Sequence, residues 1–88
     1  MKYRVSWDPD AFRNLLRQWH AAGKPDAATR AFEAIENELG TDAHRCGESR
    51  EGIQRILLLP PIGVIFEARQ NTGDAVILDA WLITRRSK

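Results

Sequence analysis

Eighty-eight residues, 43% hydrophobic and 28% charged, with no low-complexity stretch, suit one hydrophobic core, so a single domain over 1–88 is expected and a disordered chain is excluded. The net charge of +1 argues neither for nor against a nucleic-acid partner, although the arginines at 45, 50, 55, 69, 85 and 86 lean the second half toward an anionic one. The single cysteine, Cys46, excludes an internal disulfide. The longest apolar run, Ile56 to Val64, is too short and too broken by Pro60, Pro61 and Gly63 to span a bilayer.

Tyr3 to Trp7 alternates β-formers with polar residues and reads as a first strand. Asp8-Pro9-Asp10 then starts a helix. Asp8 can accept from the free backbone N–H groups, Pro9 suits the first helical position, and Asp10 suits the positive helix end. Phe12, Leu15, Leu16 and Trp19 form one apolar stripe at i, i+3, i+4 and i+7, and Gly23 ends the helix. Pro25 restarts the pattern, with Ala28, Phe32, Ile35 and Leu39 as a second stripe and Gly40 as the expected left-handed cap. The tight connection predicts an antiparallel helix hairpin.

Thr41 to Ser49 lacks periodicity and reads as a loop. Three strands follow, at Ile53–Leu59, Val64–Arg69 and Ala75–Ile83, separated by turns at Pro60–Gly63 and Gln70–Asp74. The predicted fold is α+β, in the order β-α-α-β-β-β, with the helix hairpin on one face of a mainly antiparallel sheet. Alternation assigns Ile56, Leu58, Val64, Phe66, Ala68, Val76, Leu78, Ala80 and Leu82 to the helix side. Arg55, Leu57, Leu59, Ile65, Glu67, Arg69, Ile77, Asp79, Trp81, Ile83 and Arg85 then fall on the open side. That face is unusually apolar for water, which points to a bound partner segment.

The element order in so short a chain resembles the RelE/ParE toxins of bacterial type II toxin–antitoxin pairs. So do the blocks Gly47-Glu48-Ser49-Arg50, Gly52-Ile53-Gln54-Arg55-Ile56-Leu57 and Gly63-Val64-Ile65-Phe66-Glu67, and the basic end Ile83-Thr84-Arg85-Arg86. The resemblance implies a toxin with a cognate antitoxin over the sheet face, and the lone Cys46 together with an N-terminus that reads as strand makes a reducing cytoplasm the expected location. In the RNA-cutting branch it implies ribosome-dependent cleavage of messenger RNA with no metal or cofactor, cations stabilising the charge that builds on the phosphate. Carried over position by position, Arg55 and Arg85 take the catalytic places. On the residues themselves Arg50, Arg69 and Arg86 are candidate RNA contacts, and Trp81 can stack on a base, pack under an antitoxin helix or cover Leu57 and Ile65, the last two being favoured.

The chain departs from that branch at three places. Leu57 stands where a second lysine is expected, Ile62-Gly63-Val64-Ile65 offers no arginine, and no tyrosine follows the last strand. Two alternatives therefore stay open: a ParE-like toxin that binds DNA gyrase, or an inactive binding protein of the same fold. Elsewhere, His20 suits the negative end of the first helix. His44 and Cys46 share a loop without the third group a nucleophilic pair needs, and no metal-ligand spacing is present.

Overall fold

The Asp8 carboxylate accepts from the backbone N–H groups of Asp10 and Ala11, at 2.9 and 3.4 Å, and Pro9 occupies the first turn beside it. This cap stabilises the helix by about 1 kcal/mol and fixes where strand gives way to helix. The computed structural model describes residues 2–83. In chain order these form β1 (Arg4–Trp7), α1 (Pro9–Ala21), α2 (Asp26–Asp42), a 3-10 turn (Ala43–Arg45), β2 (Glu48–Ser49), β3 (Gln54–Leu59), β4 (Ile62–Arg69) and β5 (Asp74–Leu82). The sheet order is β1-β5-β4-β3-β2, with β1 parallel to β5 and the remaining pairings antiparallel. The α+β class holds, and the helix hairpin packs on a mixed sheet that gains the short strand β2.

Ala28, Ala31, Ile35 and Leu39 recur at helical spacing along α2 and are buried against Val64, Phe66, Ile77 and Ala80 of the sheet. α1 contributes Ala11 and Leu15 to the buried set, whereas Phe12 and Leu16 remain more than a third exposed. The expected α1 stripe is thus rotated by part of a turn. Its other half meets an aromatic group in which Trp7 stacks on Phe32 with centroids 4.9 Å apart and Phe12 stands edge-on to Trp7.

α2 does not stop at Gly40 but runs on to Asp42, and the 3-10 turn follows directly. The Gly40 carbonyl accepts from the Tyr3 backbone N–H at 2.8 Å, and the fully buried Ala43 draws the next turn into the core. The segment read as a loop from Thr41 is therefore largely ordered structure.

Two backbone features correct the expected faces. The connection between β3 and β4 is only Pro60–Pro61, so Leu59 pairs with Ile62 and Leu57 with Val64. Leu57 and Leu59 consequently pack toward the helices, while Ile56 and Leu58 lie on the open face, the reverse of the expectation. In β5 the register shifts: Phe66 pairs with Ile77 and Ile65 with Asp79, leaving Leu78 as a bulged residue. Ahead of the bulge Ala75 and Ile77 point inward, and past it Ala80 and Leu82 do so. Val76 is therefore on the open face and Ile77 in the core.

β1 covers β5 only from Asp74 to Ile77. Beyond that point α1 takes over: Asn14 donates to the Ala80 carbonyl at 3.0 Å, and Gln18 accepts from the Leu82 N–H at 2.8 Å. Spaced i and i+4, the two amides satisfy an edge that would otherwise be open.

Gly47 has a φ of +63°, and a Cβ there would collide with the Ile56 carbonyl. Gly47→Ala is expected to cost at least about 2 kcal/mol in urea unfolding. Gly40→Ala, whose Cβ would meet only ordinary contacts at 3.9 Å, is expected to gain up to about 1 kcal/mol.

Candidate functional site

The open sheet face is built from rows that cross the strands. Leu58, Gly63 and Trp81 form the first, and Glu48, Ile56, Ile65 and Asp79 the second. Gln54, Glu67, Val76 and Ser6 form the third, followed by Arg69, Asp74 and Arg4. The face thus grades from apolar at the Pro60–Pro61 end to charged at the other.

Gly63 is what gives Trp81 its seat. A Cβ at that position would come within 2.7 Å of the indole and 2.9 Å of Leu58 Cδ2, so the ring lies down over bare β4 backbone. Leu58, 53% exposed, continues the apolar surface beside it. Trp81 and Asp79 are on the face where the sequence places them.

Within the strands of this face Glu48, Glu67, Asp74 and Asp79 stand with Arg4 and Arg69, and Arg50, just past β2 and opposite Gln54, adds a cation at the rim. The two strand arginines are already engaged. Arg69 donates through Nε and Nη2 to Glu67 Oε1 at 2.9 and 2.7 Å, and Arg4 approaches Asp74 at 3.1 Å. Each exposed pair contributes less than about 1 kcal/mol, but each also takes a guanidinium away from any phosphate.

Arg55 is not on this face. It pairs across β3 with the core residue Phe66, and its guanidinium reaches back to the chain before β2. Nε donates to the Cys46 carbonyl at 2.7 Å and Nη2 to the Gly47 carbonyl at 3.1 Å. The expected assembly of Arg55 with Arg69 and Trp81 on one sheet face is therefore corrected: the register that turns Leu57 inward turns Arg55 with it. Arg50 is exposed in the turn before β3, where its N–H donates to the Gln54 carbonyl. Arg85 and Arg86 lie outside the described residues.

A second polar group sits at the helix-side rim. His44 Nδ1 is 2.8 Å from the Tyr3 hydroxyl and 3.1 Å from Asp42 Oδ1. Unprotonated, that nitrogen accepts from the phenol; protonated, it donates to the carboxylate. His44, Arg55 and Gln70 border a shallow pocket of about 140 Å³. Cys46 does not serve it, because its thiol donates to the carbonyls of Glu38 and Asp42, both at 3.3 Å. Burial pushes the Cys46 thiol pKa up, the Glu38 and Asp42 charges add to this, and Arg55 opposes it. The thiol is a link to the end of α2 rather than a nucleophile. Among the described residues no group of three or more His, Cys, Asp or Glu could hold a metal ion.

Sequence reasoning missed a third feature. Phe12, Leu16, Trp19 and Phe32 line an open apolar groove of about 180 Å³ between the helices, closed below by Ile62 and Leu82. The signal for it was the width of the α1 stripe, which exceeds what one sheet face can cover.

A scan against protein-family models and a search of curated proteins find no match for this chain. Among the described residues no helix is long and apolar enough to cross a membrane.

Two outcomes test the rim. Arg55→Ala is expected to lose about 1–2 kcal/mol in thermal or urea unfolding, since two charge-assisted bonds to the chain before β2 disappear, with Arg55→Lys intermediate. Because thiolate is the reactive form, Cys46 should alkylate with iodoacetamide more slowly than an unfolded control near pH 8. Arg55→Ala should slow it further if the fold is kept.

Proposed function

We propose that this chain is the toxin component of a type II toxin–antitoxin pair of the RelE/ParE kind, and that it acts through protein contacts rather than by cutting messenger RNA. The fold resemblance supports the first half: a helix hairpin on one side of a small sheet, the other side open, and the glycine-bounded sequence blocks through β3 and β4. The open face carries the antitoxin in this reading. Ile56, Leu58, Ile65, Val76 and Trp81 together make a surface that gains from being covered.

One observation carries the second half. Arg55, the first of the two catalytic candidates, spends its guanidinium on the Cys46 and Gly47 carbonyls on the helix side of the sheet. A ribonuclease of this family's kind needs cations converging on the face where RNA lies, whereas here Arg55 is turned away and Arg4 and Arg69 are held by Asp74 and Glu67. A ParE-like target such as DNA gyrase makes no such demand.

Growth after induction of this chain alone in a bacterial host tests the reading, beside an Arg85→Ala/Arg86→Ala variant and with soluble protein verified. Arrest with DNA-damage induction and intact messenger RNA, unchanged in the variant, is the expected result. Arrest with cut messenger RNA that the variant relieves would restore the ribonuclease. No arrest by soluble wild-type protein would overturn the toxin reading in that host.

A further inference from the structure

We infer that the open sheet face binds a cationic amphipathic helix, one whose apolar stripe is flanked on both sides by Lys or Arg. The inference rests on that face being the docking surface proposed above, and does not require the chain to be toxic.

The argument lies in the row Glu48–Ile56–Ile65–Asp79. Two isoleucines occupy its centre on β3 and β4, and a carboxylate stands at each end, on β2 and β5. Three interstrand steps separate the carboxylates, about 14 Å at the usual strand spacing. A helix with its side chains is about 10–12 Å across, so one lying along β4 would set its stripe on the isoleucines and its flanks beside the two acids. The Trp81 indole, lying over Gly63, and Leu58 extend the apolar floor along the same line.

Charge decides the sign of the partner. Glu67 and Asp74 already have Arg69 and Arg4, whereas Glu48 and Asp79 have no ion pair among the described residues. Among the described residues Asp79 accepts only the N–H of Ala80, at 2.9 Å. Two exposed carboxylates with no ion pair among the described residues, flanking an apolar strip, attract lysine or arginine and repel phosphate, which disfavours both RNA and an anionic lipid surface here. The groove between the helices lacks this arrangement, being lined by apolar side chains and Thr29.

The test uses the whole chain and three probes: a 15-residue helical peptide of leucine and lysine in an amphipathic pattern, its leucine–glutamate counterpart, and a single-stranded RNA oligonucleotide. Amide shift mapping locates binding, and calorimetry at two salt concentrations measures it. The lysine peptide is expected to shift Ile56, Ile65 and Trp81, to weaken with salt, and to bind at least about tenfold more tightly than the glutamate peptide. The Glu48→Gln/Asp79→Asn double variant keeps both the side-chain shapes and the Asp79 acceptor, so the fold should persist, as an unchanged amide spectrum would verify. It should lose about five- to tenfold in affinity for the lysine peptide, a few-fold for each exposed pair. Equal binding of the two peptides, no binding of either, shifts confined to Phe12 and Leu16, or RNA shifting the sheet-face residues would each overturn the inference. None of these outcomes alters the growth result, so the two proposals fail separately.

Discussion

The two-residue connection between β3 and β4 determines what each side of the sheet can do. With Leu59 set opposite Ile62, every odd-numbered residue of β3 faces the helices and every even-numbered one faces out. Leu57 and Leu59 join the core, and Arg55 goes with them to brace the chain at Cys46 and Gly47. Ile56 and Leu58 are left outside, beside Ile65 and Trp81. One more or one fewer residue in the turn would exchange these sets and put a guanidinium where two apolar side chains now lie.

The bulge at Leu78 performs the complementary adjustment on β5. A regular strand from Asp74 to Leu82 would bury either Ala75 and Ile77 or Ala80 and Leu82, but not both pairs. The extra residue lets both pairs point inward and keeps Asp79 and Trp81 outward. The acidic and aromatic character of the open face therefore depends on a backbone irregularity, not on a run of alternating residues.

Most of the architecture was legible in the sequence because its signals are local. Asp8-Pro9 marks a helix start whatever lies elsewhere, and the spacing of Ala28, Ile35 and Leu39 marks a buried helix face. The inner residues of β4 were legible for the same reason. The faces of β3 and half of β5 were not, since turn length and a bulge are settled by pairing between strands, and alternation within a strand fixes its two faces without saying which is inside. Gly40 misled because a helix-interior glycine and a capping glycine look alike until the next residues are seen to be buried. The candidate site inherited the error: Trp81 and Asp79, beyond the bulge, were placed correctly, while Arg55, on the strand whose register was misjudged, was not. Arg85 and Arg86 fall outside the described residues.

The amides of Asn14 and Gln18 have a consequence for how this molecule meets others of its kind. A sheet grows by offering unpaired backbone groups to another chain, and β5 beyond Ile77 would be such an offer. Two side chains from α1 occupy it, so this edge cannot template a neighbour unless the helix first lifts away. On the opposite edge, β2 is two residues long and β3 ends at a pair of prolines, which have no N–H to give. Along β5 beyond Ile77 and at the Pro60–Pro61 end of β3, crowded copies are thus denied strand-to-strand stacking, even though the sheet's open face remains apolar at that end.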